Sequence, residues 1–535
     1  MPSHQLSYSD TRFFSSLILD YLEQKTELRE LYHRFPALEN FEDQVKEKQK
    51  AYPRNQREDL VRVLGEQYRH TKVSEATSKN LRLLEEDNTF TITTGHQLNL
   101  FTGPLYFLYK IISTINLAHQ LEGRFPQYNF VPVFWMATED HDFEEISFFH
   151  LHGKKFKWNP VQSAYTGGPV GEHPTAGLED VLELLSAEIG GSAHAVRLRE
   201  WFREAYLEHK DLSSATRYLA NEIFGEYGLV IIDGNSRDLK KAFIPWMKKE
   251  LLEKSCSKAT LPAIQSLSDL GYDIQVNPRE INLFYMEQGL RERIVEQDGR
   301  YYVHGHDISW RASDLLELLD NEPEKFSPNV LMRPLYQEVI LPNLCYIGGG
   351  GEIAYWLELR SYFEQQKVVF PILLLRNSVL LQTAKQEEKR RKLDIKPEEL
   401  FLRSHELINR KVRKISNINI DFSPQKKHLT EQFRELYALA DQTDKSFLGA
   451  VRAQEVKQLK GLDNLEKRLL LAQRRKLQDE VSRITSLQNE LFPNQGLQER
   501  HHNFSEFYLR YGDELVPSLI RELDPLAFKF DILSL

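Results

Sequence analysis

Between residues 89 and 137 the chain carries a helix pattern with almost no polar side. Leu105, Leu108, Ile111, Ile112, Ile115, Ala118 and Leu121 surround it. Such a helix is stable in water only when most of its circumference is buried. It is flanked by two short runs, TFTITT at 89–94 and VPVFWMA at 131–137. The second is continuous rather than alternating, the pattern of a strand covered on both faces. Strand, helix and strand in so short a span form a parallel βαβ unit with a right-handed connection. Further strands are expected at 229–233, 272–276, 339–341 with 344–347, and 369–375. The expected fold class is therefore α/β: an open, doubly wound parallel sheet interrupted by insertions.

The rest of the chain divides around that core. Residues 1–85 read as a helical segment packing on it, with Phe13, Leu17, Leu19 and Tyr21–Leu22 near helical spacing and a second helix over 56–68. The core occupies 86–155, continues over 226–278, and ends over 326–384 with a glycine-rich loop. A helical insertion fills 156–225, with a helix near 178–189, and a small β-rich insertion fills 279–325, with strands near 293–295 and 301–303. Residues 385–495 form a helical coiled-coil domain, and 496–535 return to the core. No proline falls between Pro424 and Pro493, and Leu459, Leu462, Leu465, Leu469, Ala472, Leu477, Val481, Ile484, Leu487 and Leu491 are spaced mostly three or four apart. One continuous helix over 445–491 would span ~70 Å. Its apolar seam needs a partner, either an antiparallel helix from 385–440 or a second subunit.

Composition narrows the function classes. The 69 basic and 78 acidic residues leave a net charge of −9, which supplies no general attraction for nucleic acid or an anionic membrane. The longest apolar stretch, 368–375, is far shorter than the ~18–20 residues of a spanning helix. Asp10 and Arg12 stand where a secretory leader needs its apolar core. Cys256 and Cys345 form no CxxC pair, which excludes a disulfide framework and a cysteine zinc site and suits a reducing compartment. A soluble, cytoplasmic protein is expected.

Four stretches could carry chemistry, each at or after an expected core strand. Gly95, His96, Gln97 and Asn99 precede Thr102, Gly103 and Pro104, where glycines and a helix start with Pro104 at its first position suit a phosphate or carboxylate. Glu139, Asp140, His141, Asp142, Glu144 and Glu145 gather five carboxylates around one imidazole, fit to hold an ammonium group, ribose hydroxyls or Mg²⁺. His150 and His152 nearby are candidate metal ligands with His141. Gly348, Gly349, Gly350 and Gly351 precede Glu352, Tyr355 and Trp356; four adjacent glycines cost much backbone entropy, which points to close approach by a ligand. Arg376 and Ser378 end the last core strand, and Arg333 lies upstream; either arginine suits bidentate anion binding. Cys345 reads as buried packing, and Asp233, Gly234 and Asn235 as a turn at the same sheet edge. Ligands of open α/β sheets bind outside the carboxyl ends of the strands.

These stretches resemble a known family, the cysteine-adding enzymes of bacillithiol biosynthesis. The likeness is carried by Thr94, Gly95, His96 and Gln97 with Phe101, Thr102, Gly103, Pro104, Leu105 and Tyr106, and by VPVFW at 131–135 with EDHD at 139–142. It extends through Arg333 and Pro334, Tyr346 to Gly349, GEIAYW at 351–356, LFP at 491–493 and GLQER at 496–500. The resemblance implies a Rossmann-like core akin to class I aminoacyl-tRNA synthetases, connecting insertions, a coiled-coil domain and a homodimer formed through it. It implies a ligase that joins cysteine to the amine of glucosaminyl-malate by an amide bond. Amide formation from a free carboxylate is uphill, so ATP, with Mg, is the expected cosubstrate. On that reading the 104 helix start, the 348–351 loop and Arg376 hold phosphates, Asp140 or Asp142 holds the cysteine ammonium, and His141 is the general base. Substrate or nucleotide contacts are expected at Gly95, His96, Gln97, Thr102, Gly103, Tyr106, Glu139, Arg333, Gly348 to Gly351, Glu352, Tyr355, Trp356, Arg376 and Ser378. Two rival readings are a metal-dependent hydrolase built on 139–142 and a non-catalytic coiled-coil scaffold.

Overall fold

The computed structural model describes residues 3–160 and 167–535; 161–166, part of the expected 156–225 insertion, lie outside the described residues, as do the first two. The chain divides into two compact units, Gln5–Leu380 with Gln498–Asp531, and Leu381–Leu497 with Met1–His4 and Ile532–Leu535.

In the larger unit, strand β1 (Thr89–His96) leads through helix α1 (Tyr106–Arg124) to strand β2 (Asn129–Met136). Strand β3 (Val230–Asp233) follows the helical insertion, whose helices run Leu178–Ile189, Ala193–Leu207 and Leu212–Phe224. Helix α2 (Arg333–Ile340), strand β4 (Asn343–Gly348), helix α3 (Gly350–Trp356) and strand β5 (Ile372–Leu375) complete the core. The sheet order is β5-β4-β1-β2-β3, and every neighbouring pair is parallel. Chain order therefore reverses between β1 and β4, where a crevice opens at the strand ends. Strand β1 is threonine-rich yet fully buried because its hydroxyls are satisfied across the ladder: Thr93 donates to Asn343 Oδ1 at 2.8 Å and Thr94 to Ile347 O at 2.8 Å. Phe90, Ile92, Leu117, Leu121, Leu344, Ile347, Ile372 and Leu374 form the apolar core, joined by Phe41 and Val45 from a helix of the N-terminal segment.

Two expected strands are absent. Residues 272–276 are an irregular segment whose N–H groups at Gln275 and Val276 go to one carboxylate oxygen of Glu358, at 3.1 and 3.3 Å, instead of to a ladder. Residues 339–341 close helix α2, which Pro334 starts; a three-residue apolar run fits a buried helix end as well as a strand. The β-rich insertion is an antiparallel sheet in the order Ser309–Arg311, Arg300–Val303, Leu290–Gln297, Leu283–Glu287 and Phe326–Pro328.

The smaller unit contains an antiparallel hairpin of helices α4 (Ser423–Ala440) and α5 (Lys445–Lys476), followed by helix α6 (Gln478–Leu491). Asp444 caps α5, accepting from the N–H groups of Ser446 and Phe447. The single helix expected over 445–491 breaks at Leu477 (φ −103°, ψ 32°). The charges foreshadow the break: Arg474, Arg475 and Lys476 suit a helix C-terminus, and Asp479 and Glu480 suit the next N-terminus. No helix among the described residues is long and apolar enough to cross a membrane.

Candidate functional site

A cavity of about 940 Å³ opens where the sheet order reverses. The ends of β1 and β2 supply Gly95, His96, Gln97, Glu139, Asp140 and His141; Tyr106 and Lys110 come from α1, Arg333 from α2, and Glu352 and Tyr355 from α3. Distant stretches thus converge on one crevice.

A buried charge network organises its floor. Lys110 Nζ lies 2.6 Å from Glu352 Oε2 and donates to Gly95 O. Glu352 also accepts from Tyr346 Oη at 2.6 Å and from Gly349 N at 2.9 Å. Burial alone would raise the Glu352 carboxyl, but Lys110 beside it holds it below the usual range. Burial lowers the Lys110 ammonium in turn. His96 stacks on Tyr106 with its Nδ1 2.8 Å from Gln97 O. Burial and the nearby Lys110 cation push it down to about 3, so the ring is neutral at physiological pH. Arg333 lies over the Tyr346 ring at 5.6 Å and donates to Gln337 at 2.9 Å, while its Nη2 has no partner among the described residues.

The acidic stretch after β2 splits into separate tasks. Asp140 is held in place by Gln97 Nε2 at 2.7 Å and by the N–H of His141 at 2.7 Å. Glu139 is committed to an ion pair with buried Lys240 and accepts from Ser327 Oγ at 3.0 Å. Asp142 caps the short helix Phe143–Ile146 by accepting from Glu145 N, and it does not line the cavity. His141 Nδ1 lies 2.7 Å from Arg291 Nη1. A guanidinium only donates, so Nδ1 is the accepting nitrogen and the neutral ring carries its proton on Nε2.

Several expected contacts are placed elsewhere. Gly348, Gly349, Gly350 and Gly351 do not line the cavity. A Cβ on Gly348 would fall 2.9 Å from Glu352 Cβ, and those on Gly350 and Gly351 would lie 3.4 Å from Ile18 and 3.6 Å from Gln275. Gly348 makes room for Glu352, the other separations are ordinary contacts that require no glycine, and Glu352 takes the Gly349 N–H that a phosphate would need. Thr102 and Gly103 form a left-handed turn (φ 69° and 63°), and α1 starts at Tyr106 rather than Pro104; Leu105 N donates to His502 O at 2.8 Å. Arg376 is buried in an ion pair with Glu499 at 2.7 Å, with Ser378 accepting from it at 3.2 Å, so neither faces the crevice. Trp356 is a core residue stacked on Tyr346 at 4.6 Å. His150 stacks on His501 at 4.2 Å and His152 pairs with Glu188 at 3.0 Å, away from His141. Cys345 is buried within β4, as its strand position suggested.

Sequence reasoning missed Lys110, Arg279, Phe284, Arg291 and Arg293, all of which line the cavity. Lys110 was detectable as the one full charge in the apolar stretch 105–121, since a buried lysine requires a partner. The arginines had no local signal.

The sequence compares with known families in the same sense. Residues 1–377 match the model described as bacillithiol biosynthesis BshC, N-terminal Rossmann-like domain, and residues 379–535 match the BshC C-terminal coiled-coil domain. The chain belongs to the BshC family of bacillithiol biosynthesis. A relative from Christiangramia forsetii is 61% identical over 534 residues, covering 100% of this chain and 99% of that protein. One from Flavobacterium johnsoniae is 55% identical with both chains fully covered, and one from Cytophaga hutchinsonii is 36% identical over 99% of this chain and 98% of its own. All three carry the name "Putative cysteine ligase BshC". The BshC match accounts for both the Rossmann-like sheet and the helical unit expected from sequence.

Proposed function

We propose that the crevice joins the carboxylate of cysteine to the amine of glucosaminyl-malate, a carbon–nitrogen ligation that completes bacillithiol. One observation carries the reading: Asp140 and His141 from the end of β2, Lys110 from α1 and Arg333 from α2, three separate stretches of chain, meet in a single crevice at the sheet's reversal point. The relatives' printed name supplies the cysteine. Asp140, pre-oriented by Gln97, suits the cysteine ammonium. His141 suits removal of a proton from the acceptor nitrogen. Neutral, buried His96 and the apolar faces of Trp135 and Tyr106 limit water around the reacting carboxyl.

ATP, with Mg, is the proposed cosubstrate, and its chemistry is activation of the cysteine carboxyl. Two observations fit it: the unpartnered Nη2 of Arg333, and Lys110 beside it, both cationic donors at the strand ends. The 348–351 loop and Arg376 are spent on protein contacts and are not part of this proposal. A second copy of the chain is the proposed partner of the α4–α5 hairpin, where Leu436, Leu439, Val456, Leu465 and Leu471 remain exposed.

Mass spectrometry of the protein incubated with ATP, cysteine and glucosaminyl-malate tests the reading. The expected result is the thiol product, formed only with ATP present and accompanied by AMP or ADP. Absence of product with folded protein and all three substrates overturns it.

A further inference from the structure

The crevice has a rim that the ligase reading leaves unused. The strand Leu290–Gln297 places Arg291 and Arg293 on the same face, two residues apart. Phe284 lies opposite Arg293 in the ladder, and Ser327 lies opposite Phe284, so all four share that face. Arg279, in the segment leading into this sheet, lines the same cavity. The guanidinium groups of Arg279 and Arg293 have no hydrogen-bond or ion-pair partner among the described residues; only their backbone atoms are engaged. Arg291 is held by Ser327 Oγ at 3.2 Å and by the Phe284 ring face at 4.0 Å. Its remaining hand is the Nη1 on His141 Nδ1.

Charge bookkeeping gives this rim a direction. Within the cavity Lys110 is matched by Glu352, and Glu139 by Lys240. Asp140 is the one lining carboxylate left to face Arg279, Arg291, Arg293 and Arg333. Forked guanidinium groups with spare donors recognise carboxylates bidentately. The His141 contact adds a second point. With a guanidinium donating into Nδ1 and a proton on Nε2, the imidazole has no free lone pair, and a second proton would place two cations 2.7 Å apart. Asp140 Oδ1, at 3.8 Å from Nδ1, is the nearby anion that would offset an imidazolium once Arg291 withdrew.

We propose that Arg279, Arg291 and Arg293 form the subsite for a dicarboxylate group on the acceptor amine, and that Arg291 reaches that group by releasing His141 Nδ1. The acceptor's own carboxylate thus unmasks the base. In the step that follows, the acceptor nitrogen loses a proton to His141 Nδ1 and forms its bond to the activated cysteine carbonyl carbon. The activating phosphate-bearing group leaves with the electron pair of its C–O bond, and the imidazolium later returns its proton to water. Without an acceptor the base stays occupied, which protects the activated cysteine from hydrolysis. This proposal rests on the ligase reading for the identity of the acceptor, but the carboxylate subsite can be measured without turnover.

The test uses the full chain and L-malate as the probe. Calorimetric titration should show L-malate binding that weakens by ~10-fold or more in the Arg279→Gln/Arg293→Gln variant. Nitrogen NMR should show the His141 Nδ1 resonance moving when L-malate is added to the wild type and already moved in Arg291→Gln. In turnover, the double variant should raise KM for glucosaminyl-malate by ~10-fold or more while kcat and KM for ATP stay within about 3-fold. Unchanged L-malate affinity, an unmoved His141 signal, or a rise in KM for ATP in place of the acceptor's each overturns the proposal; the last would make the rim a phosphate site. L-malate binding with no product in any assay would instead remove the ligase reading and leave the subsite standing.

Discussion

The crevice at the sheet edge and the α4–α5 hairpin bond their charges at similar distances to opposite effect. Lys110–Glu352 and Arg376–Glu499 lie at 2.6 and 2.7 Å, and Lys426–Asp463 in the hairpin lies at 2.7 Å. Side-chain exposure separates the pair behind the crevice from the hairpin pair: 4% and 1% for Arg376 and Glu499, against 27% and 50% for Lys426 and Asp463, with the cavity-facing pair between them at 4% for Lys110 and 27% for Glu352. A pair in water is worth little because solvent screens it, whereas a buried pair becomes expensive as soon as one partner is removed. The wall behind the crevice is therefore a fixed electrostatic structure, and the hairpin is a solvated surface with an apolar seam.

That contrast can be broken or sharpened by substitution. The largest effects should come from the packing behind the crevice. Trp356→Ala, which empties a fully buried site, should cost ~3–5 kcal/mol in denaturant unfolding. A loss below 1 kcal/mol would mean that Trp356 is not core. Glu499→Gln leaves Arg376 buried without its counter-charge and should cost ~3–5 kcal/mol, while Asp463→Asn in the hairpin should cost less than ~1 kcal/mol. Equal losses in these two variants would erase the distinction between the regions.

Next in size is an acid sensitivity to which the crevice contributes through His96. His96 takes a proton near 6.5 when unfolded and only near about 3 when folded. Between those values the unfolded state binds more protons, so folding stability falls as pH drops through that window. The His96 share should be about 3 kcal/mol at pH 4.5. His96→Gln should flatten the decline in unfolding midpoint between pH 7 and pH 4.5, and a decline identical to wild type would contradict the assignment. The smallest effect belongs to the hairpin seam. Leu465, 53% exposed, should lose less than ~0.5 kcal/mol of protomer stability on substitution by Asp. If the hairpin pairs with a second copy, the same Leu465→Asp variant should shift sedimentation from dimer toward monomer.

Legibility followed the same divide. The βαβ unit was readable because an all-round apolar helix between a β-branched strand and a continuous apolar one has few other homes, and β3 and the long hairpin helix followed from local periodicity. The 139–142 stretch was readable as charge at a strand end, but not its division of labour. Asp142 became a helix cap and Glu139 a partner of Lys240 because of neighbours that only the fold supplies. The glycine run misled for a related reason. Glycine reports that something approaches closely, and here the one close visitor is Glu352 at Gly348, while Gly350 and Gly351 meet Ile18 and Gln275 at ordinary contact distance. Arg279, Arg291 and Arg293 were invisible because an insertion about 150 residues beyond β2 brings them to the rim, and nothing local marks an alternating pair of arginines as anything but solvated.

The most direct test of a single working crevice is the product-formation rate of Asp140→Asn beside that of Asp142→Asn, followed by mass spectrometry with ATP, cysteine and glucosaminyl-malate. Asp140 lines the cavity and its neighbour caps a helix outside it. The account predicts that Asp140→Asn loses ~100-fold or more and that Asp142→Asn stays within about 5-fold of wild type. Wild-type turnover in Asp140→Asn, with or without a loss in Asp142→Asn, would contradict it.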